Sequence, residues 1–527
     1  MSKRLFRGVA FAALVFAAAP SFAQEFATDV LSEKVRFISA DDFQGRYPGT
    51  VGEEKTLAWL QSEYEAMGLK PGGPDGQWLQ PVDLVSLMPR DASVTLKATD
   101  GSTQNPTTAD GLIVRALNDA GHGHVSDAGL VFAGYGITAP ERNWDDYGDL
   151  DVTGKVVVLM GGSPEFNSPY RRYYAQDAYK ADEAYRRGAV GVIMISNNDW
   201  ERTVTMRTRS SRLAPGSAPL QFRGWASPEM VAGWGVDAAQ LEAAKLESFS
   251  AMALPQTISV TANEDKTTVT SHNLLAILPG TERPDETVVF SAHWDHVGTR
   301  DPANGEDHIF NGAWDNASGT VGVVEMARQF VADGPAKRSL VFLHVTAEEM
   351  GLLGAYAYVA DPVYPLETTV ANINIDMLPL SGPTRDVPIF GKGQNSLEDM
   401  LDTLAKAEGR YVSDDGQPQQ GFYYRSDHFA FARAGVPALM PWHGVDFVEG
   451  GFEVGKAAWQ ERFGRVYHKT TDEWSADLDF TSASENLTLL YRLGRELADG
   501  NSWPTWKADS EFGQVRARSD ASRGTRH

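Results

Sequence analysis

The chain has no cysteine in its 527 residues. Disulfides, thiolate metal sites and cysteine nucleophiles are therefore excluded, and so is a lipid carried on an N-terminal cysteine. Positive charge is scarce as well: 47 Lys and Arg stand against 70 Asp and Glu, a net charge of −23. Such a surface repels phosphates, so nucleic acid is not an expected partner. Internal repeats and low-complexity blocks are also lacking. The apolar run Val9–Pro20 is too short to span a bilayer with ease. It follows Lys3, Arg4 and Arg7 and precedes the small-residue word Ser21-Phe22-Ala23. That order reads as a signal peptide over 1–23, with Gln24 as the mature N-terminus. The expectation is an exported protein, periplasmic or secreted, with no integral membrane segment after processing.

What is present suffices for folded cores: 42% of residues are hydrophobic, and the length suggests two or three domains. Residues 30–70 read as a helical entry, with Leu57, Leu60, Tyr64 and Met67 at helical spacing over Glu53–Met67 and Gly68 as a stop. QPVDLVSLM (80–88) reads as a strand. From 89 to 265 the texture changes to short alternating strands, with one helical piece at Tyr170–Arg187 and no metal-like set of His and acids. This segment reads as a separate domain. From Ser271 strand, loop and helix alternate. The continuous apolar runs Thr287–Ser291, Ser339–Val345, Val370–Ile375 and Val436–Met440 suit strands buried on both faces of a mostly parallel sheet. The helices Gly319–Val331, Gly351–Val359 and Ser396–Ala407 lie between them, and Asn486–Leu497 is the last. The fold class expected is α/β, three layers with helices on both faces of the sheet. Beyond Asn501 the tail is polar and expected to fray.

Five metal-type residues occur in order through this alternation: His293, Asp315, Glu349, Asp376 and His468. Their words are SAHWDH, NGAWDNASG, TAEEMGLLG, NINIDM and VYHKTTD. His293, the Glu348–Glu349 pair and Asp376 each follow a predicted strand, and ligands gather at the carboxyl ends of parallel strands. Asp315 precedes a predicted helix, with Asn316 and Ser318 as cap candidates. Two imidazoles and three carboxylates suit catalytic zinc. Five ligands exceed one tetrahedral ion and suffice for two if a carboxylate bridges; spacing does not name the bridge. Glu348 is the candidate general base, with helix capping as its bland alternative. Asp295 is placed to accept the second N–H of His293. Asp472 stands in the same relation to His468, or caps a helix. His344 reads as a core residue, and His122, His124, His272 and His527 as surface. His296, His308, His428 and His443 read as structural or substrate-facing before they read as ligands.

These words resemble the co-catalytic di-zinc aminopeptidase family, which holds secreted bacterial leucyl aminopeptidases, aminopeptidase Y and glutamate carboxypeptidase II. H-x-D, G-A-x-D-N-x-S-G, a doubled Glu before G-L-L-G, a strand-ending Asp and a late Y-H occur in the family's order. The resemblance implies that His293, Asp315 and Asp376 hold one zinc, and that Asp315 bridges to a second held by Glu349 and His468. It implies Glu348 as general base, Tyr467 as a donor to the scissile carbonyl, and a cis Asp315–Asn316 bond. YRSDHFAFARAGVPAL (424–439) also looks like a family word, whose Arg425, Asp427 and His428 would shape the substrate side. GYGITAPERNWDDYGDLDVTGKVVVLMGG with RRGAVGVIMIS resembles a protease-associated domain. It implies a discontinuous peptidase, 24–88 plus 266–500, interrupted by an inserted β-rich apical domain, 89–265, and followed by a polar tail, 501–527. The function implied is removal of N-terminal residues from peptides. Three rivals stay open: a glutaminyl cyclase-like acyl transferase, a glutamate-type carboxypeptidase and a catalytically silent binding module. Oligomeric state is not legible.

Overall fold

A computed structural model describes residues 26–166, 171–301, 305–416, 421–508, 510 and 512–524. The expected signal peptide lies outside these residues. Among the described residues, no helix is long and apolar enough to cross a membrane.

The fold is α/β around one continuous sheet. In its C-terminal half the strands Ala438–Leu439, Thr369–Asn374, Arg283–His293 and Arg338–Val345 run parallel in that spatial order. Met252–Leu278 then pairs antiparallel with Arg338–Val345. Thr369–Asn374 and Arg338–Val345 are buried at every residue. Unbroken β-branched and aromatic runs such as SLVFLHV have this fate in parallel sheets, because helices cover both faces. Thr28–Ile38 packs with Ser318–Asp333 and Thr481–Asp499, and Leu353–Ala360 packs with His428–Arg433. Phe290, Phe330 and Phe342 meet in the core between sheet and helix.

Two strands are far longer than their sequence runs suggested. Leu79–Lys97 carries the strand expected at 80–88 on past the expected border, and pairs with Met252–Leu278 over almost its whole length. The ladder shifts register between Asn263 and Glu264. Met88 faces Asp265 and Pro89 faces Glu264 in it, so the borders expected at 88/89 and 265/266 lie opposite each other inside one ribbon. Beyond that level Met252–Leu278 pairs with His122–Phe132, which leads into the parallel strands Val156–Met160, Gly191–Ile195 and Phe222–Ala226. Two hydrophobic clusters here draw only on residues 94–262. At the ribbon, Arg115 makes a paired hydrogen bond to Glu264, with Nε–Oε1 and Nη2–Oε2 both 2.8 Å, and donates to the carbonyls of Leu87, Arg207 and Arg209. That fork satisfies a buried charge on both sides.

Two local expectations need correction, and one element was not foreseen. The helix expected at Tyr170–Arg187 is two described helices, Arg171–Tyr174 and Asp177–Arg186, because Gln176 turns extended between them. The tail does not fray throughout: Phe512–Gly524 is a helix. Phe512 is buried, and Arg516 donates to the carbonyls of Leu366 and Thr369. A helix at Gly451–Val466 was not anticipated. It buries only Gly455 and Val466, so its sequence lacks the apolar stripe that betrays a helix.

Candidate metal centre

The carboxyl ends of the parallel strands build the site. Arg283–His293 ends on His293, whose Nε2 lies 3.4 Å from Asp315 Oδ1 and 3.3 Å from Asp376 Oδ1. Asp376 follows the strand Thr369–Asn374 by two residues. Its Oδ2 accepts from Ser426 Oγ at 2.7 Å, Ser426 accepts from Asn374 Nδ2 at 2.8 Å, and Asn374 Oδ1 accepts from Ser291 Oγ at 2.7 Å. This buried relay holds the Asp376 carboxylate toward His293.

Asp315 sits in the irregular turn Ala313–Ala317 that opens the helix Ser318–Asp333, and its bond to Asn316 is cis. Asn316 Oδ1 accepts from the amides of Gly319 and Met377, and its Nδ2 donates to the carbonyl of Ile375. The two oxygens of Asp315 face different partners: Oδ1 faces His293, and Oδ2 lies 3.1 Å from His468 Nε2. Glu349 Oε2 lies 2.9 Å from the same His468 nitrogen. Tyr467 and His468 follow the helix Gly451–Val466 directly; Tyr467 (ψ 118°) ends the helical course, and His468 has a left-handed backbone (φ 54°). Their rings stack with centroids 3.9 Å apart.

The structure gives two acids roles other than those expected. Asp295 was placed to receive His293, but its carboxylate is 3.7 Å from His293 Nδ1, which lies 3.1 Å from the backbone carbonyl of Asp295 instead. The Asp295 carboxylate accepts from the amides of Glu348 and Glu349, at 3.0 and 3.4 Å, and so orients the acidic pair. Asp472 is turned from His468 to the turn Ala313–Ala317: its two oxygens accept from the amides of Trp314 and Asp315, each at 3.0 Å. Of the substrate-side candidates, Arg425 lines the cleft with His293, Asp315, Glu348 and Tyr467. Asp427 and His428 are fully buried behind it, and neither has a hydrogen-bonded side-chain N or O among the described residues.

Sequence reading passed over Arg46, Ser426 and Asn374, and took His296 as structural or substrate-facing before taking it as a ligand. Arg46 is completely buried and donates to the carbonyls of Ile38, Trp294, Asn311 and Gly312 at 2.6–3.1 Å. It ties the loop after His293 to the loop before Asp315. Nothing in the turn-rich word DFQGRYPGT marks it, because its partners are all backbone and at least 248 residues away apart from Ile38. His296 did carry a signal, since it stands three residues after His293 in the same word.

Charge explains why such a cluster needs cations. Asp295, Asp315, Glu348, Glu349, Asp376, Asp427 and Asp472 crowd His293, His296 and His468. Burial, then the neighbouring Glu349, Asp376 and Asp427, push the Glu348 carboxyl well above the usual range despite His293. Burial would lower His468, yet Asp315 and Glu349 raise it to about 10. Burial holds Asp295 up at about 7 and Asp472 at about 6. Burial, with Asp315, Glu348 and Glu349, also raises Tyr467, so its hydroxyl stays a donor. Unpaired buried carboxylates are costly unless they coordinate metal. Donor atoms of His293, Asp315 and Asp376 converge as one potential ligand group, and those of His296, Asp315 and Glu349 as another. Donor separations of 3.3–3.4 Å around His293 match the edge of a tetrahedron with bonds of about 2.0–2.1 Å. Imidazole and carboxylate without thiolate suit zinc. The residues present therefore fit a divalent cation at each group.

Comparison with known proteins places the same region. Residues 273–492 match peptidase family M28. A probable lipoprotein aminopeptidase of Mycobacterium tuberculosis is 25% identical over 352 residues, 63% of this chain and 60% of that protein. A mouse aminopeptidase, NAALADL1, is 32% identical over 121 residues, 22% of this chain and 15% of that protein. The chain thus spans less than two thirds of either relative. Among solved structures, an aminopeptidase from Aneurinibacillus sp. strain AM-1 superposes with a TM-score of 0.45 at 18% identity, covering 91% of this chain and 96% of that one.

Proposed function

We propose that this chain, whose residues 273–492 form a peptidase family M28 domain, is an exported zinc-dependent aminopeptidase that uses two ions. The observation that carries the reading is the divided Asp315 carboxylate, one oxygen toward His293 and the other toward His468. His293, Asp315 and Asp376 would hold one ion, and Asp315, Glu349 and His468 the other. Zinc bound there supplies Lewis acidity, acidifying water and polarising the scissile carbonyl. The chain's own groups do the rest. Glu348, oriented through Asp295, takes the proton of the attacking water on its carboxylate and returns it to the leaving amine. The Tyr467 hydroxyl donates to the developing oxyanion. The carboxylates around the second ion position favour a free substrate ammonium, which selects the N-terminus of a peptide. Residues 89–265 are read as an inserted apical domain of the protease-associated type, and residues 1–23 as the export signal.

Replacing Glu348 with Gln tests the base. It should retain both ions and lower kcat by about 10²–10⁴-fold; near-normal kcat with both ions bound would exclude Glu348 from proton transfer. One observation favours a second reading. Arg425 brings a guanidinium into the cleft, with Nη2 3.5 Å from Tyr467 Oη, where it would suit a substrate carboxylate. A panel of aminoacyl anilides, N-blocked peptides ending in glutamate and N-terminal glutamine peptides separates aminopeptidase, carboxypeptidase and cyclase. Absence of turnover across the panel by zinc-replete protein would favour the silent binding module.

A further inference from the structure

His296 stands at the second ion position without a part in the ligand set read from sequence. The side chain is fully buried, and neither ring nitrogen has a hydrogen-bond partner among the described residues. Its Nδ1 lies 2.8 Å from Glu349 Oε1. That is hydrogen-bond distance without hydrogen-bond alignment, since Glu349 Oε1 is likewise unpartnered. Donor atoms of His296, Asp315 and Glu349 all lie within 4.8 Å of one another, close enough to meet a single ion. His468 meets the opposite oxygen of the same carboxylate, Oε2, at 2.9 Å. The two imidazoles therefore flank Glu349, His296 from the interior and His468, 37% exposed, from solvent.

The ring's place is built rather than incidental. Gly312 passes so close that a Cβ there would come within 2.6 Å of His296 Cγ and Cδ2. Gly312 also has φ 58°, a conformation that favours glycine. Arg46 clamps the backbone on both sides, donating to the carbonyls of Trp294 and Gly312. The amide of His296 donates in turn to the carbonyl of Arg46 at 3.4 Å.

We propose that His296 is a ligand of the second ion, which it closes from the protein interior through Nδ1; this rests on the two-ion reading of the site. The two positions then differ in kind. His293, Asp315 and Asp376 give the first three protein donors and leave one open, the pattern of a reacting site. His296, Asp315, Glu349 and His468 would give the second four, a fuller set that would hold its metal more firmly.

The test uses the full mature chain, stripped with chelator and titrated with zinc against a chromophoric competitor. Wild type should bind two ions. H296Q should bind one with affinity within about threefold of wild type and the other at least 10-fold more weakly, with unchanged circular dichroism. Two sites of wild-type affinity in H296Q would overturn the proposal. X-ray absorption on the wild-type di-zinc protein is independent of any variant's folding. Three imidazoles for every two ions support the ligand, whereas two for every two ions overturn it and leave the two-ion reading standing. A wild type that binds a single ion overturns that reading, and this one with it.

Discussion

Arg46→Lys is the sharpest test of how the centre is held, because the lesion lies in the loops and leaves every proposed ligand in place. Arg46 serves four buried carbonyls, those of Ile38, Trp294, Asn311 and Gly312. A lysine has three donors on one nitrogen, so at least one carbonyl loses its partner at about 1–3 kcal/mol. The remaining bonds cannot all reach from a single point, since the acceptors surround a planar fork. The combined cost should be roughly 2–4 kcal/mol. Charge is not the variable, because both side chains are cations; burial pulls even the Arg46 guanidinium down to about 10 against the pull of Asp472, Asp315, Asp295 and Glu349. The assay is amide hydrogen exchange on metal-stripped protein, read at residues 294–296 and 311–315. Local opening cheaper by that amount speeds exchange by roughly 30- to 1,000-fold. Arg465→Lys is the control, an exposed partner of Glu461 expected to change stability by less than about 0.5 kcal/mol. Exchange in R46K within threefold of wild type would refute the idea that this fork braces the two loops.

Further outcomes follow from other parts of the fold. Gly354→Ala would drive a Cβ into the carbonyl of Thr346 and within 2.6 Å of Asn273 Oδ1, beneath the turn that carries Glu348 and Glu349. It should cost about 1–3 kcal/mol in urea denaturation and weaken zinc retention; unchanged values for both would show that the turn can shift at no cost. Removing metal should lower Tm, and zinc at 100 times its Kd should restore about 2.7 kcal/mol per site; equal Tm with and without chelator would speak against buried ion sites. Burial raises Asp146, bonded to Ile137 N and Trp144 Nε1, to about 7. Its folded form therefore holds a proton more tightly than the unfolded chain does, a stabilising term that is full below about pH 4 and lost as pH rises through 7. Asp146→Asn removes that dependence. The variant should gain on wild type by roughly 1–4 kcal/mol between acid and pH 8, and a pH-independent difference in denaturation midpoint would contradict the shift.

The sheet was legible in the sequence because buried parallel strands leave continuous apolar runs, and SLVFLHV or VANINI can hardly be anything else. The polar residues directly after those runs were legible for the same reason, since a strand's carboxyl end is fixed in space once the strand is. Strand length was not. Leu79–Lys97 and Met252–Leu278 continue through polar stretches such as Asn263–Thr270, held by mutual pairing rather than by an apolar face. The helix Gly451–Val466 escaped for the related reason that it buries almost nothing.

By itself the sequence determined which side chains stand at the rim, because strand ends carry His293, Glu349 and Asp376 there and the turn before a helix carries Asp315. Tertiary structure alone decided what each neighbour does. Asp295 orients the Glu348–Glu349 amides, Asp472 orients the Asp315 amide, Arg46 ties two loops together and His296 turns inward to Glu349. These contacts join segments tens to hundreds of residues apart. Spacing along a chain fixes direction within one strand or helix, but which atoms meet across loops depends on how those elements pack.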